Sequence, residues 1–213
     1  MGILVTGCPR SGTSLVAGTL HKSGIWMGDT FPPPGEFNPT GYFEHQPITD
    51  INDYILKLSG GSVTIFPRQV LDLSMFDQLR TRIKQHVSKA NGGLWGIKDP
   101  RIIPLWSLYR DMGYRWRIIL CQRNRYDTIV SVERAIFGIG ALSVPSAVDG
   151  YVRRQETVAA DVFPVLRVMF EDWWADRAGQ LARLSEFVGV ELDGSHFDAR
   201  LWRSKVVDKS QYF

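Results

Sequence analysis

The residue types that can do chemistry gather first in Pro9, Arg10, Ser11, Gly12, Thr13 and Ser14. They lie between an apolar run, Ile3 to Val5, and an apolar-periodic segment ending near Ser23-Gly24. A strand that breaks at a glycine, turns through a loop and enters a helix directs backbone N–H groups inward. The new helix adds its unpaired N–H groups and the positive end of its dipole, and together these cradle a phosphate. Gly7 and Gly12 keep the spacing of the nucleotide loop G-x-x-x-x-G-K-[ST], but Thr13 stands where that loop carries lysine. The cation has moved to Arg10, inside the loop. Such a loop suits a phosphate-like anion better than a metal-bound triphosphate.

A second anion seat is written into Cys121-Gln122-Arg123-Asn124, with Ser131 eight residues after Arg123. Arg123 falls at the C-terminal tip of a predicted strand and Ser131 about two turns into the next helix, so both can face one crevice. A guanidinium with a hydroxyl is a sensible clamp for a phosphate monoester.

The elements that must position these groups alternate between strand and helix. Apolar runs at Ile3–Val5, Leu94–Ile97, Trp116–Cys121 and Val165–Phe170 read as strands. Helical periodicity marks the segment after the loop, a helix from Pro47 with Ile51, Tyr54, Ile55 and Leu58 inward, and residues 73 to 90 with Phe76, Leu79, Ile83 and Val87 inward. Further helices follow: a short one from Pro104, one capped by Asn124, one from Pro145 to Val162 with Val148, Val152 and Val158 inward, and one from Trp174 to Val188. Between residues 28 and 41 the density of Pro and Gly forbids regular structure and marks a long, functional type of loop. The expected fold is α/β, a single-domain, P-loop-type parallel sheet flanked by helices over residues 1–213. Its ligand belongs beyond the C-terminal ends of the strands.

With two phosphate motifs in one α/β frame, the chain resembles sulfotransferases that use 3′-phosphoadenosine 5′-phosphosulfate (PAPS). The Pro9-to-Thr13 core is similar to their 5′-phosphosulfate loop, and Arg123 with Ser131 to the pair holding the 3′-phosphate. Weaker likenesses run on through Met169–Trp173 (a Y-E-D segment), Leu184–Gly189 (an F-L-G helix end) and Phe197–Leu201 (an F-x-D-P-x-L tail), so the resemblance covers nearly the whole chain. It departs at Arg10, where many relatives carry Lys, and at Lys98-Asp99-Pro100, where cytosolic members carry K-T-H. It also lacks their R-K-G-x-x-G segment, leaving Arg203, Lys205 and Lys209 as candidates to cover the adenine. The likeness is therefore closer to bacterial, phage or carbohydrate-type members.

The resemblance implies transfer of a sulfuryl group to a hydroxyl or amine of a small-molecule or carbohydrate acceptor, leaving 3′,5′-bisphosphoadenosine (PAP). Arg10 is the first candidate to meet charge on the departing oxygen, and Lys98, at a neighbouring strand tip, is the second. Carbohydrate-type relatives use a Glu after the first helix as the base. Glu44, beside His45, stands there, and Asp99 is the alternative unless it simply pairs with Arg101. A P-loop kinase or nucleotide hydrolase, or a non-catalytic nucleotide-binding protein of the same fold, remains the alternative reading.

The whole sequence bounds these expectations. A net charge of +3 suits an anionic ligand and is too small to argue for nucleic acid. Two cysteines, Cys8 and Cys121, give no disulfide framework, and the four histidines have no metal-ligand spacing. No apolar run reaches the length of a membrane span, and a first strand at residue 3 leaves no room for a leader. A cytoplasmic protein without metal or membrane is expected. Neither acceptor nor oligomeric state follows from the residues.

Overall fold

A computed structural model describes residues 1–36, 38–67, 75–135 and 143–197. Its centre is a sheet of four parallel strands in the order β2-β1-β3-β4, formed by β1 (Gly2–Gly7), β2 (Gly96–Lys98), β3 (Trp116–Gln122) and β4 (Val165–Met169). Each lies where an apolar run predicts a strand. The chain passes from β1 to β2 on one side and then crosses to β3 on the other. This reversal opens a crevice at the strands' C-terminal ends.

Side chains of a strand alternate between faces, and both faces of a parallel sheet must be covered. Leu4, Trp116, Ile118 and Leu120 enter one core, with α2 (Gln46–Leu58), α3 (Phe76–Lys89), α4 (Trp106–Arg110) and α6 (Ser143–Ala159). Ile3, Val5, Ile119 and Cys121 enter the other, with α1 (Thr13–Lys22) and α8 (Arg177–Val188). α5 (Arg125–Ala135) sends Ile129 and Val132 into the first core and is capped as expected, the Asn124 Oδ1 accepting from Tyr126 N at 3.0 Å.

Three expectations about helix faces and ends need correction. In α2 the inward set is Ile48, Ile51, Asn52, Ile55 and Leu56, while Tyr54 and Leu58 are exposed. In α6 Val152 is exposed and Tyr151 takes the buried position beside Val148. The helix expected from Trp174 to Val188 is two helices, α7 (Asp172–Ala175) and α8, because Asp176 leaves helical geometry to cap α8, its Oδ1 accepting from Gly179 N at 2.9 Å. The described residues between 28 and 44 form no helix or named strand, as the Pro and Gly content there requires. Residues 73 and 74, with Asp198–Leu201, Arg203, Lys205 and Lys209, lie outside the described residues. No described helix is long and apolar enough to cross a membrane.

Candidate active site

All four strand tips feed one cleft of about 220 Å³: Pro9 and Arg10 after β1, Lys98 at the end of β2, Arg123 after β3 and Phe170 after β4. Gly12, Thr13 and Ser14 line it at the start of α1, where the helix's first N–H groups have no intrahelical acceptors. The turn into that helix requires glycine twice. A Cβ on Gly7 would lie 2.2 Å from the Cys121 carbonyl oxygen, and one on Gly12, at φ 91°, would lie 2.6 Å from Phe170 Cδ2. Ser11 does not line this cleft. Its hydroxyl and its N–H donate to the Cys8 carbonyl at 2.7 and 3.1 Å, so it shapes the loop rather than meeting a ligand through its side chain.

Arg10 sits at φ 71°, a left-handed conformation that is strained for a residue with a Cβ. Both members of the second anion seat hold it there. Arg10 Nε donates to Ser131 Oγ at 3.1 Å, and an Arg123 terminal nitrogen (NH1) donates to the Arg10 carbonyl at 3.2 Å. The two motifs are thus one network. The Arg123 guanidinium lies 4.5 Å over the Phe170 ring, burial lowers its pKa, and its Nε is buried with no acceptor among the described residues. A buried donor without a partner is costly, and an anion in this cleft would satisfy it.

The opposite wall carries the remaining chemistry. Lys98 is 3 % exposed and forms an ion pair with Glu44 Oε1, and both line the cleft. Arg101 donates to Glu44 Oε2 at 3.2 Å. Burial pushes the Glu44 carboxyl up, but Lys98 and Arg101 together outweigh it, so its pKa is lowered and it is ionised at neutral pH. The long loop is tied to the start of α1. Asn38 Nδ2 donates to Ser14 Oγ at 3.0 Å, and Ser14 Oγ donates to the Tyr42 carbonyl at 3.3 Å. Asn38, Pro39 and Tyr42 line the cleft, and only the length and composition of their loop signalled them.

Asp99, the alternative base, is placed elsewhere. It is fully buried, does not line the cleft, and its carboxylate accepts from Asn52 Nδ2 at 2.8 Å and from the Arg101 side chain and N–H at 2.9 and 2.8 Å. Burial raises its pKa. With both oxygens accepting bonds that hold the turn Pro100–Ile102 to β2 and α2, and no exposure to the cleft, it is placed as a structural carboxylate. His45 is also off the cleft, its ring 5.0 Å from His86 and its Nδ1 3.7 Å from Asp29. Among the described residues no group of three or more His, Cys, Asp or Glu could hold a metal ion.

No family model matches the sequence, and no curated protein does. Solved structures do share its fold. The sulfotransferase domain of the Synechococcus PCC 7002 olefin synthase superposes with a TM-score of 0.59 at 17% identity, over 98% of this chain and 80% of that one. The sulfotransferase STF1 of Mycobacterium tuberculosis H37Rv gives a TM-score of 0.49 at 14% identity, over 92% and 69%. The chain therefore has a sulfotransferase-like α/β fold, as the olefin synthase domain's superposition over nearly its whole length shows.

Proposed function

We propose that this chain is a sulfotransferase that uses PAPS, with a hydroxyl or amine as acceptor. One observation carries the reading: Arg10, Ser131 and Arg123 join the glycine-rich loop and the β3–α5 tip into one anion-seeking cleft that faces Lys98 and Glu44. The start of α1 would hold the 5′ end of the nucleotide, and Arg123 with Ser131 the 3′-phosphate. The orphaned Nε of Arg123 supports that fit. When bound, PAPS supplies the sulfuryl group that moves to the acceptor.

The residues of the chain then do three things. Arg10 and Arg123 neutralise and orient the anion, removing the entropy of encounter from the barrier. Lys98, desolvated and rooted at a strand tip, meets the charge that develops on the departing oxygen. Glu44 takes the acceptor's proton. A carboxylate with a lowered pKa is a weak base, which suffices in a loose transfer, since the acceptor's proton becomes acidic only as the new bond forms. The side chain of Arg10, engaged with Ser131, favours Lys98 over Arg10 for the departing oxygen.

Thermal unfolding tests the reading. PAP without magnesium, at 100 times its dissociation constant, should stabilise the protein by about 2.7 kcal/mol. Glu44→Gln should keep that stabilisation and lose PAPS turnover. Stabilisation only by magnesium–ATP would replace this reading with a kinase or nucleotide hydrolase, and PAP binding without sulfation of any acceptor class would make the chain a nucleotide-binding protein.

A further inference from the structure

Arg101 lies behind the cleft wall, not on it, yet its guanidinium joins three carboxylates. One terminal nitrogen (NH1) donates to Glu44 Oε2 at 3.2 Å and to Asp99 Oδ1 at 2.9 Å, and its Nε donates to Asp53 Oδ1 at 2.5 Å. Two of those contacts are anchors. Asp99 is fixed by Asn52 of α2 and by the Arg101 N–H, and Asp53 belongs to α2 itself. Glu44 is the only one of the three carboxylates that lines the cleft. It precedes α2 in a segment without regular structure, and its carboxylate is held by Lys98 and Arg101.

We propose that Arg101 is a positioning residue: anchored by Asp99 and Asp53, it holds the Glu44 carboxylate in the cleft wall while Lys98 serves the reacting groups. This rests on the reading of Glu44 as the proton acceptor. The physical need comes from a conflict on that wall. Lys98 is the cleft-lining cation paired with Glu44, and Lys98 is also the cation placed to meet charge on a departing oxygen. It cannot serve both fully. A buried carboxylate that loses its cation takes up a proton or turns away, and either would disarm it as a base. A second cation outside the cleft, fixed from two other sides, removes the conflict.

The charged and titratable groups that act on Glu44 or feel it are Lys98 from β2, Arg101 and Asp99 from the turn after β2, and the buried Tyr151 of α6. Burial raises the pKa of Tyr151, which keeps it neutral, and Asp99 is already bound to Arg101. With Arg101 removed, burial pushes Glu44 upward against Lys98 alone.

The test uses Arg101→Gln and Arg101→Lys, each alone and combined with Glu44→Gln, with two readouts. The first is the titration of the Glu44 side-chain carboxyl by NMR in the ligand-free chain, assigned by its loss in Glu44→Gln. The second is the rate of PAP release from PAPS with water as acceptor, which needs no identified substrate. In Arg101→Gln the Glu44 titration should move to higher pH and the acid limb of the rate profile with it. The rate should fall on the order of 100-fold while PAP affinity stays within about twofold, as for two ligands differing little in contact energy. Arg101→Lys should restore part of both, and it carries the same readouts if the Gln variant does not fold. On the Glu44→Gln background, Arg101→Gln should cost nothing further. An unmoved Glu44 titration, or the same loss with and without Glu44, overturns the role of Arg101 alone. Full rate in Glu44→Gln is a different result, and it removes the base assignment on which the inference stands.

Discussion

Replacing Arg123 by Met tests whether the β3 tip reads a 3′-phosphate. Arg123 does two separable things. Its NH1 donates to the Arg10 carbonyl at 3.2 Å, holding the strained loop, and its buried Nε lacks an acceptor among the described residues. Met keeps an apolar stem over Phe170, where the guanidinium now lies 4.5 Å from the ring centroid, so packing is largely retained. Losing the loop contact should cost any ligand of the loop about 0.5–1.5 kcal/mol, roughly two- to tenfold in affinity. Losing a charge-assisted bond to an additional phosphate costs about 1.5–3 kcal/mol, roughly 10- to 150-fold. Only PAP carries that phosphate; adenosine 5′-phosphosulfate does not. Titration calorimetry of both ligands at one ionic strength should therefore show PAP losing roughly 10- to 150-fold more affinity than adenosine 5′-phosphosulfate. Ser131→Ala should act in the same direction with a smaller ratio, since it removes a neutral partner. Equal losses for the two ligands would refute the assignment and reduce Arg123 to a support of the loop.

Gly12→Ala should destabilise the protein by about 1–2 kcal/mol from the left-handed backbone alone, and further because its Cβ meets Phe170 at 2.6 Å. At about 2–4 °C per kcal/mol for a chain of this size, the melting temperature should drop by several degrees. Phe170→Leu in the same chain should return only the contact part, and a full recovery would contradict the backbone argument. The stability of the fold should also fall with acid. His86 is buried, its Nε2 donates to the Gly96 carbonyl at 2.8 Å, its Nδ1 has no hydrogen-bond partner among the described residues, and burial lowers its pKa to about 4. Below pH 6.5 the unfolded chain takes a proton that the folded chain refuses until about pH 4. Stability is therefore lost as pH falls through that window, at about 1.4 kcal/mol per unit and about 3 kcal/mol in all. His45 and His21, also lowered by burial, add with the same sign. Denaturant unfolding at pH 6.5 and 5, above most carboxylate titrations, should show the slope, and a flat profile would refute it.

What was legible in the residues was local. The glycine loop and the Arg123–Ser131 spacing each lie within one strand-to-helix connection, so sequence distance translates directly into spatial distance. The cleft wall opposite was only half legible. Lys98 and Asp99 are neighbours at one strand end, and only the packing of α2 decides that Lys98 reaches the cleft while Asp99 turns to Asn52 and Arg101. The same packing misled the assignment of helix faces. An apolar count puts Tyr54 and Leu58 inside, but the face of α2 is set by Asn52, which must reach both Asp99 and the Tyr109 hydroxyl at 2.7 Å. Polar partners 47 and 57 residues away leave no periodic trace. Arg10 shows a different kind of contact that sequence does not reveal. Its type and place in the loop suggest a reach toward the reacting group, and in the folded chain it lines the cleft while its Nε also donates to Ser131 Oγ, 121 residues away. The break at Asp176 was open to sequence reasoning, since an aspartate ahead of Arg177-Ala178-Gly179 is a plausible helix cap.

The register of the sheet accounts for how the proposed binding and transfer roles divide between the two walls. Lys98 pairs with Val5, whereas Cys121, two residues before Arg123, pairs with Gly7. Lys98 is therefore rooted two strand residues, about 7 Å, below the level where the loop begins, and Arg123 starts above it. A side chain at the deeper level must be long to line the same cleft, and it reaches there through protein rather than water. Its charge is correspondingly less screened, which matters most for a group that must answer charge appearing within the reaction itself. In the proposed reaction the shallower guanidiniums of Arg10 and Arg123 would meet charges that the ligand already carries in solution, where steering and orientation count for more than field strength. A deep lysine needs a counter-ion to be stable while the cleft is empty, and Glu44 fills that need in the same place where the proposed reaction requires a base. The ion pair that makes the wall stable is thus the pair that would make it reactive.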